Sequence, residues 1–136
     1  MTLQEIFAGC TAKPLLAEEP MAKHTSFRIG GPADLMAMPQ SEQELQQLLQ
    51  RAGEAKVPVT LIGNGSNLLV RDKGIRGLVI KLGNMLNDVA VDGCTLTFGS
   101  GVSLAAASRK AAEMGLSGME FAVGIPGSIG GAVYMN

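Results

Sequence analysis

Leu61-Ile62-Gly63-Asn64-Gly65-Ser66-Asn67-Leu68-Leu69-Val70 sets five consecutive Gly, Asn and Ser residues between two apolar segments. Val57 to Ile62 reads as a buried strand that ends in this turn, and Leu68 to Val70 reads as a strand that continues after it. Glycine permits positive φ and lets another backbone or a ligand approach closely. Successive N–H groups in such a turn form a concave nest that binds anions. The run is not the Rossmann fingerprint, because Leu68 stands at the third glycine position and no helix follows. It is not a P-loop either, because no Lys follows at the required spacing. A tight turn needs fewer such residues, and Ser66 and Asn67 add side-chain donors.

A second glycine-rich run, Gly124-Ile125-Pro126-Gly127-Ser128-Ile129-Gly130-Gly131-Ala132, lies near the end of the chain. Pro126 fixes a rigid bend, and Ser128 offers another hydroxyl. Alone, this run reads equally as a packing turn. Two nests in one short chain point to a large phosphate-bearing ligand, and a dinucleotide cofactor fits best.

The rest of the sequence frames these turns. The chain has 136 residues, a one-domain length. Eleven Lys and Arg stand against 12 Asp and Glu, so no basic surface invites nucleic acid. Aromatics are 4% and Trp is absent, which removes stacking platforms for single strands. At 46% hydrophobic the chain is globular. Cys10 and Cys94 belong to no CxxC pattern and read as thiols of a reducing, cytoplasmic compartment. The first residues have no basic region and no long apolar stretch, so no signal peptide is expected. No apolar run approaches the roughly 20 residues of a membrane span.

Thr2 to Phe7 is expected as a short helix, and Lys13 to Glu19 as a connecting segment. Asp34 to Met38 reads as a strand. Ser41 and Glu44 form a capping box, and Leu45, Leu48, Leu49 and Ala52 share one helical face, with Gly53 and Pro58 bracketing the end. Leu78 to Leu82 reads as a strand. Asp88 to Val91 and Cys94 to Phe98 read as a hairpin around Asp92-Gly93. Ser103 caps a helix from Leu104 to Met114, stopped by Gly115. The elements do not alternate regularly, so a doubly wound sheet is not expected.

Other candidates are weaker. A lone His24 is more often structural than catalytic, and no cluster around it suggests a metal. Thr25-Ser26 reads as a cap or turn pair. Arg28 is a possible phosphate anchor or a plain surface residue. Glu120, between Met119 and Phe121, is either solvated or raised in pKa by apolar company. After Gly83 the only cations are Arg109 and Lys110, on an expected helix.

Three stretches then occur in a specific order. They are His24-Thr25-Ser26-Phe27-Arg28-Ile29-Gly30-Gly31-Pro32-Ala33-Asp34, Gly63-Asn64-Gly65-Ser66-Asn67-Leu68, and Gly118 through Asn136. Together they resemble the N-terminal part of the UDP-N-acetylenolpyruvoylglucosamine reductase family, also called UDP-N-acetylmuramate dehydrogenases. The resemblance covers almost the whole chain. It implies an α+β fold, an FAD-binding domain of the vanillyl-alcohol-oxidase (PCMH) type. That domain comprises two α+β subdomains, about 20–83 and 84–136, with the flavin between them. It implies that Gly63, Asn64, Gly65, Ser66, Asn67 and Leu68 wrap the FAD pyrophosphate. Gly124, Ile125, Pro126, Gly127, Ser128, Gly130 and Gly131 would line the rest of the cofactor.

For the intact enzyme the resemblance implies NADPH as reductant and a UDP-sugar enolpyruvyl ether as substrate. The product would be UDP-N-acetylmuramate, a precursor of peptidoglycan. Family members are roughly twice this length, and their catalytic residues fall in later segments, so none is expected here. The chain stops at Asn136 with no capping signal, which reads as a cut. Another flavin oxidoreductase of this fold and a non-catalytic nucleotide-binding module are the rival readings. The sequence carries no signal of oligomeric state.

Overall fold

The structure is a computed structural model, and it describes residues 1–135. Asn136, the last residue of the third stretch above, lies outside them. Two compact units follow one another, Met1–Met85 and a second that begins at Leu86.

The first unit is built on a four-stranded sheet. Its elements are α1 (Leu3–Phe7), β1 (Leu16–Pro20), β2 (Pro32–Ala37), α2 (Glu42–Ala55), β3 (Val59–Ile62) and β4 (Ile75–Lys81). The strand order is β1-β2-β4-β3. β4 runs parallel to β2 and to β3, and β1 is antiparallel to β2. The central place of β4 explains its composition. Leu78, Val79 and Ile80 are all buried, because both faces of a parallel strand are covered. On one face Leu35, Ala37, Leu78 and Ile80 pack with Phe7, Cys10, Leu48 and Ala52 of the helical side. On the other, Ala33, Met36 and Val79 pack with Met21, Ile62 and Val70.

Ala33 pairs with Ile75, but Leu35 pairs with Leu78, so β4 carries one extra residue between them. Gly77, at φ +88°, sits in this bulge. Asp34 secures it, accepting the Gly77 N–H at 2.8 Å and pairing with the Arg76 guanidinium. Bulges of this kind are specific backbone features held by such partners.

Several expectations need correction. Leu16–Pro20 is an edge strand where a connecting segment was expected. Pro14 just before it and Pro20 at its end mask it, yet an edge strand tolerates proline. Leu68 to Val70 is not a strand: Val70 is pinned in a core cluster, but among the described residues no strand pairs with it. Ser41 does cap α2, accepting the Glu44 N–H at 3.2 Å. The Glu44 carboxylate does not return to Ser41. It accepts the N–H of Gln40 at 2.7 Å and of Ala12 at 3.0 Å. Gly53 lies inside α2, and the helix ends at Lys56, which takes the left-handed conformation (φ +54°).

The second unit contains β5 (Val89–Asp92), β6 (Thr95–Phe98), α3 (Leu104–Glu113) and α4 (Ile129–Met135). β5 and β6 form the expected hairpin, although Asp92 pairs with Thr95, which makes Gly93-Cys94 the turn. Ser103 caps α3 through the Ala106 N–H at 3.1 Å, and Gly115 follows it at φ +69°. Ile129–Met135 is helical, a feature that the apolar stretch after Gly131 did not reveal. Among the described residues, no helix is long and apolar enough to cross a membrane. The helices and strands together make an α+β chain, as expected.

Candidate functional site

In the first unit the glycine loop follows β3, on the sheet face occupied by Met21, Ile62 and Val70. Its shape is set by a second segment, His24 to Ile29. The His24 N–H closes a short 3₁₀ turn onto the Met21 carbonyl. Thr25 is buried and its hydroxyl donates to the Ile29 carbonyl at 3.2 Å, while the Arg28 N–H reaches the Thr25 carbonyl. Thr25-Ser26 is therefore the start of a tight turn. The Ser26 N–H donates to the Gly65 carbonyl at 3.0 Å. The two segments touch so closely that a Cβ on Gly65 would meet the His24 carbonyl oxygen at 1.9 Å. Gly65, at φ +68°, is glycine for both reasons at once.

What the loop leaves free is its donor set. Among the described residues, no amide from Gly63 to Leu69 donates a hydrogen bond. The side chains of Asn64, Ser66 and Asn67 are likewise unengaged. Asn64 and Asn67 are exposed, so water can satisfy these groups until a ligand replaces it. Consecutive unpartnered amides suit an anion.

In the second unit the later glycine run is partly engaged in its own fold. Ser103 and Ser128 form an isolated antiparallel bridge, closed by Leu104 N–H to the Gly127 carbonyl and Ile129 N–H to the Val102 carbonyl. The Gly130 N–H donates to the Ser100 carbonyl at 2.8 Å. A Cβ on Gly130 would stand 2.8 Å from that of Ser100. The buried Ser128 hydroxyl accepts the Gly131 N–H at 3.2 Å and so begins α4. Gly124, Gly127 and Ser128 keep amides without acceptors among the described residues, and nothing stands within 4 Å of a Cβ on Gly124. Val123 and Ile125 are exposed there.

Glu120 is fully exposed and its carboxyl is held below the ordinary glutamate range. The cause is hydrogen bonding from its own N–H and from the Gly118 N–H, the latter at 2.8 Å. The raised alternative is thereby excluded. A groove of about 390 Å³ between β5 and α3 is lined by Arg109 and Lys110 among others, and it contains none of the expected site residues.

His24 is more than a turn residue. Its Nε2 lies 2.8 Å from Glu19 Oε1, and its Nδ1 lies 3.0 Å from Lys81 Nζ. Glu19 and Lys81 were not singled out from the sequence. Their only signal was position, Lys81 as the one charged residue in the expected strand Leu78 to Leu82.

A run of free amides closing a strand of an α+β sheet is a donor set suited to an anionic ligand. Over residues 33–136 the chain matches the family described as FAD binding domain. It belongs to that family, and FAD is its cofactor.

The chain is similar to the UDP-N-acetylenolpyruvoylglucosamine reductase of Agathobacter rectalis, at 54% identity over 134 residues, 90% of this chain and 42% of that protein. The enzyme of the same name from Syntrophomonas wolfei is 48% identical over 132 residues, 97% of this chain and 44% of that protein. The crystal structure of UDP-N-acetylenolpyruvylglucosamine reductase (MurB) from Thermus caldophilus superposes with a TM-score of 0.64 at 35% identity, covering 88% of this chain and 40% of that one. The chain thus spans about two fifths of the length of these relatives.

Proposed function

We propose that this chain is the FAD-binding part of an NADPH-dependent reductase that converts UDP-N-acetylglucosamine enolpyruvate to UDP-N-acetylmuramate. The observation that carries the reading is the unpartnered amide series from Gly63 to Leu69. The relatives named for that reaction add the substrate class. When bound, FAD supplies the hydride chemistry that links NADPH to the enolpyruvyl double bond.

The residues of this chain bind and orient. Gly63, Asn64, Gly65, Ser66, Asn67 and Leu68 offer amide donors to the diphosphate, and the Ser66 hydroxyl and Asn67 amide extend that set. In the second unit Gly124, Gly127 and Ser128 offer free amides, and Ile125 and Pro126 present apolar surface to the cofactor. Gly130 and Gly131 keep the backbone close enough for this segment to form. No proton donor is assigned within the described residues. The two free thiols, Cys10 and Cys94, support a reducing, cytoplasmic setting.

Purification of this chain with FAD, followed by absorbance and fluorescence titration, tests the reading. Saturable FAD binding is the expected result. Failure of FAD to bind under any condition in which the chain is folded overturns it. NADPH consumption that depends on the enolpyruvyl substrate is expected only when the rest of a relative's length is supplied.

A further inference from the structure

Seven amides provide dipoles but no net charge, whereas a diphosphate carries a formal charge near −2 at neutral pH. The stretch from Gly63 to Leu69 contains no Lys or Arg. Topology brings Lys81 to the strand end that leads into the loop. Lys81 ends β4 and is paired in register with Ile62, the residue that precedes the loop. Along β4 it shares its face with Val79, the face that carries Ile62 and Met21.

The ammonium of Lys81 is held in an unusual way. An ammonium has only protons to give, so His24 Nδ1 at 3.0 Å must accept. The ring proton then lies on Nε2 and is donated to Glu19 Oε1 at 2.8 Å; this tautomer is assigned from the bonds. The series Lys81 to His24 to Glu19 runs in one direction. A neutral imidazole fixes the position of the ammonium and leaves its charge uncompensated, which a carboxylate partner would not do. Among the described residues Lys81 makes no ion pair, and two of its three N–H donors remain free. The same His24 forms the wall of the loop, because its carbonyl abuts Gly65.

We propose that Lys81 is the cation that balances the FAD diphosphate at the Gly63–Leu69 loop, and that His24, oriented by Glu19, is the positioning residue that holds it there. This inference rests on the loop being the diphosphate seat.

The experiment is FAD titration of the wild-type chain, Lys81→Met and Lys81→Arg, with thermal melts to establish that each is folded. The expected loss for Lys81→Met is about ten- to hundredfold in affinity at low salt, the range for a hydrogen bond to a charged group. Lys81→Arg keeps the charge and recovers most of the affinity. The difference between wild type and Lys81→Met narrows in about 1 M NaCl, where screening reaches within roughly 3 Å; a packing role would leave it unchanged. If wild type binds FAD and Lys81→Met binds within twofold of it, Lys81 is not the cation and the loop reading stands. If both variants lose affinity equally and salt does not alter the gap, Lys81 acts through packing and the proposal fails. If the folded wild-type chain binds no FAD, the loop reading fails and this inference fails with it.

Discussion

The carbonyl oxygen of His24 occupies the space that a side chain on Gly65 would need, 1.9 Å from an ideal Cβ. One loop is therefore moulded on the other, and the contact is backbone to backbone, with no flexible atom to give way. Gly65→Ala is expected to lose the loop conformation and with it FAD binding. The stability cost should exceed the roughly 1–2 kcal/mol of a left-handed non-glycine residue alone. Gly124→Ala is the contrast, since nothing lies near its Cβ. It should change stability by no more than about 0.5 kcal/mol. Thermal melts of both variants check the difference, and equal melting temperatures would contradict it.

Ser66 and Ser128 both carry hydroxyls in glycine runs, but they do different work. The Ser66 hydroxyl has no partner among the described residues, so Ser66→Ala should leave the melting temperature alone. Its FAD affinity should fall by about tenfold at most, the effect of a neutral hydrogen bond worth roughly 0.5–1.5 kcal/mol. Ser128→Ala removes the acceptor of the Gly131 N–H and should lower stability by about 1 kcal/mol, as other lost N-caps do. Parallel melts and FAD titrations separate the two.

The Glu44 carboxyl is held below its ordinary value by the Gln40 N–H first and the Ala12 N–H second. A carboxyl depressed in the folded state stabilises above its unfolded pKa, and that contribution is lost as pH falls through the folded pKa. Glu44→Gln should therefore melt below wild type at pH 7. The gap should close as the pH falls below the ordinary glutamate range, where the folded carboxyl takes up its proton. A gap that persists undiminished in strong acid would show that the ionised form is not what matters.

Cys10 is buried in the core of the first unit and Cys94 is exposed in the β5–β6 turn. A thiol reagent applied to the native chain should titrate one thiol promptly. The second should appear only on unfolding. Prompt reaction of both would mean that the packing of α1 against the sheet is looser than described.

The sequence was most legible where a local rule acts alone. Ser41 and Ser103 announce their helices, the hairpin is visible near Asp92-Gly93, and a glycine loop is visible after β3. The α+β class and the FAD-binding family followed from ordered motifs. What could not be read depends on distant partners. β1 is a strand only because β2 accepts it, and Leu68 to Val70 is not one because no strand lies beside it. The carboxylate of Glu44 finds Ala12 instead of Ser41, a contact 32 residues apart. Glu19, His24 and Lys81 meet only because β1 and β4 belong to one sheet.

The place of β4 also governs how the first unit can be made. It is the last of four strands in the chain but stands between β2 and β3 in the sheet. Neither of those strands can acquire its parallel neighbour until the chain through Lys81 exists. During synthesis α2 can form early, since its backbone hydrogen bonds are local, whereas the sheet must wait for a distant segment to close a long loop. The residues that complete the sheet also deliver Lys81 to His24, so folding of the first unit and assembly of its polar triad finish in the same step.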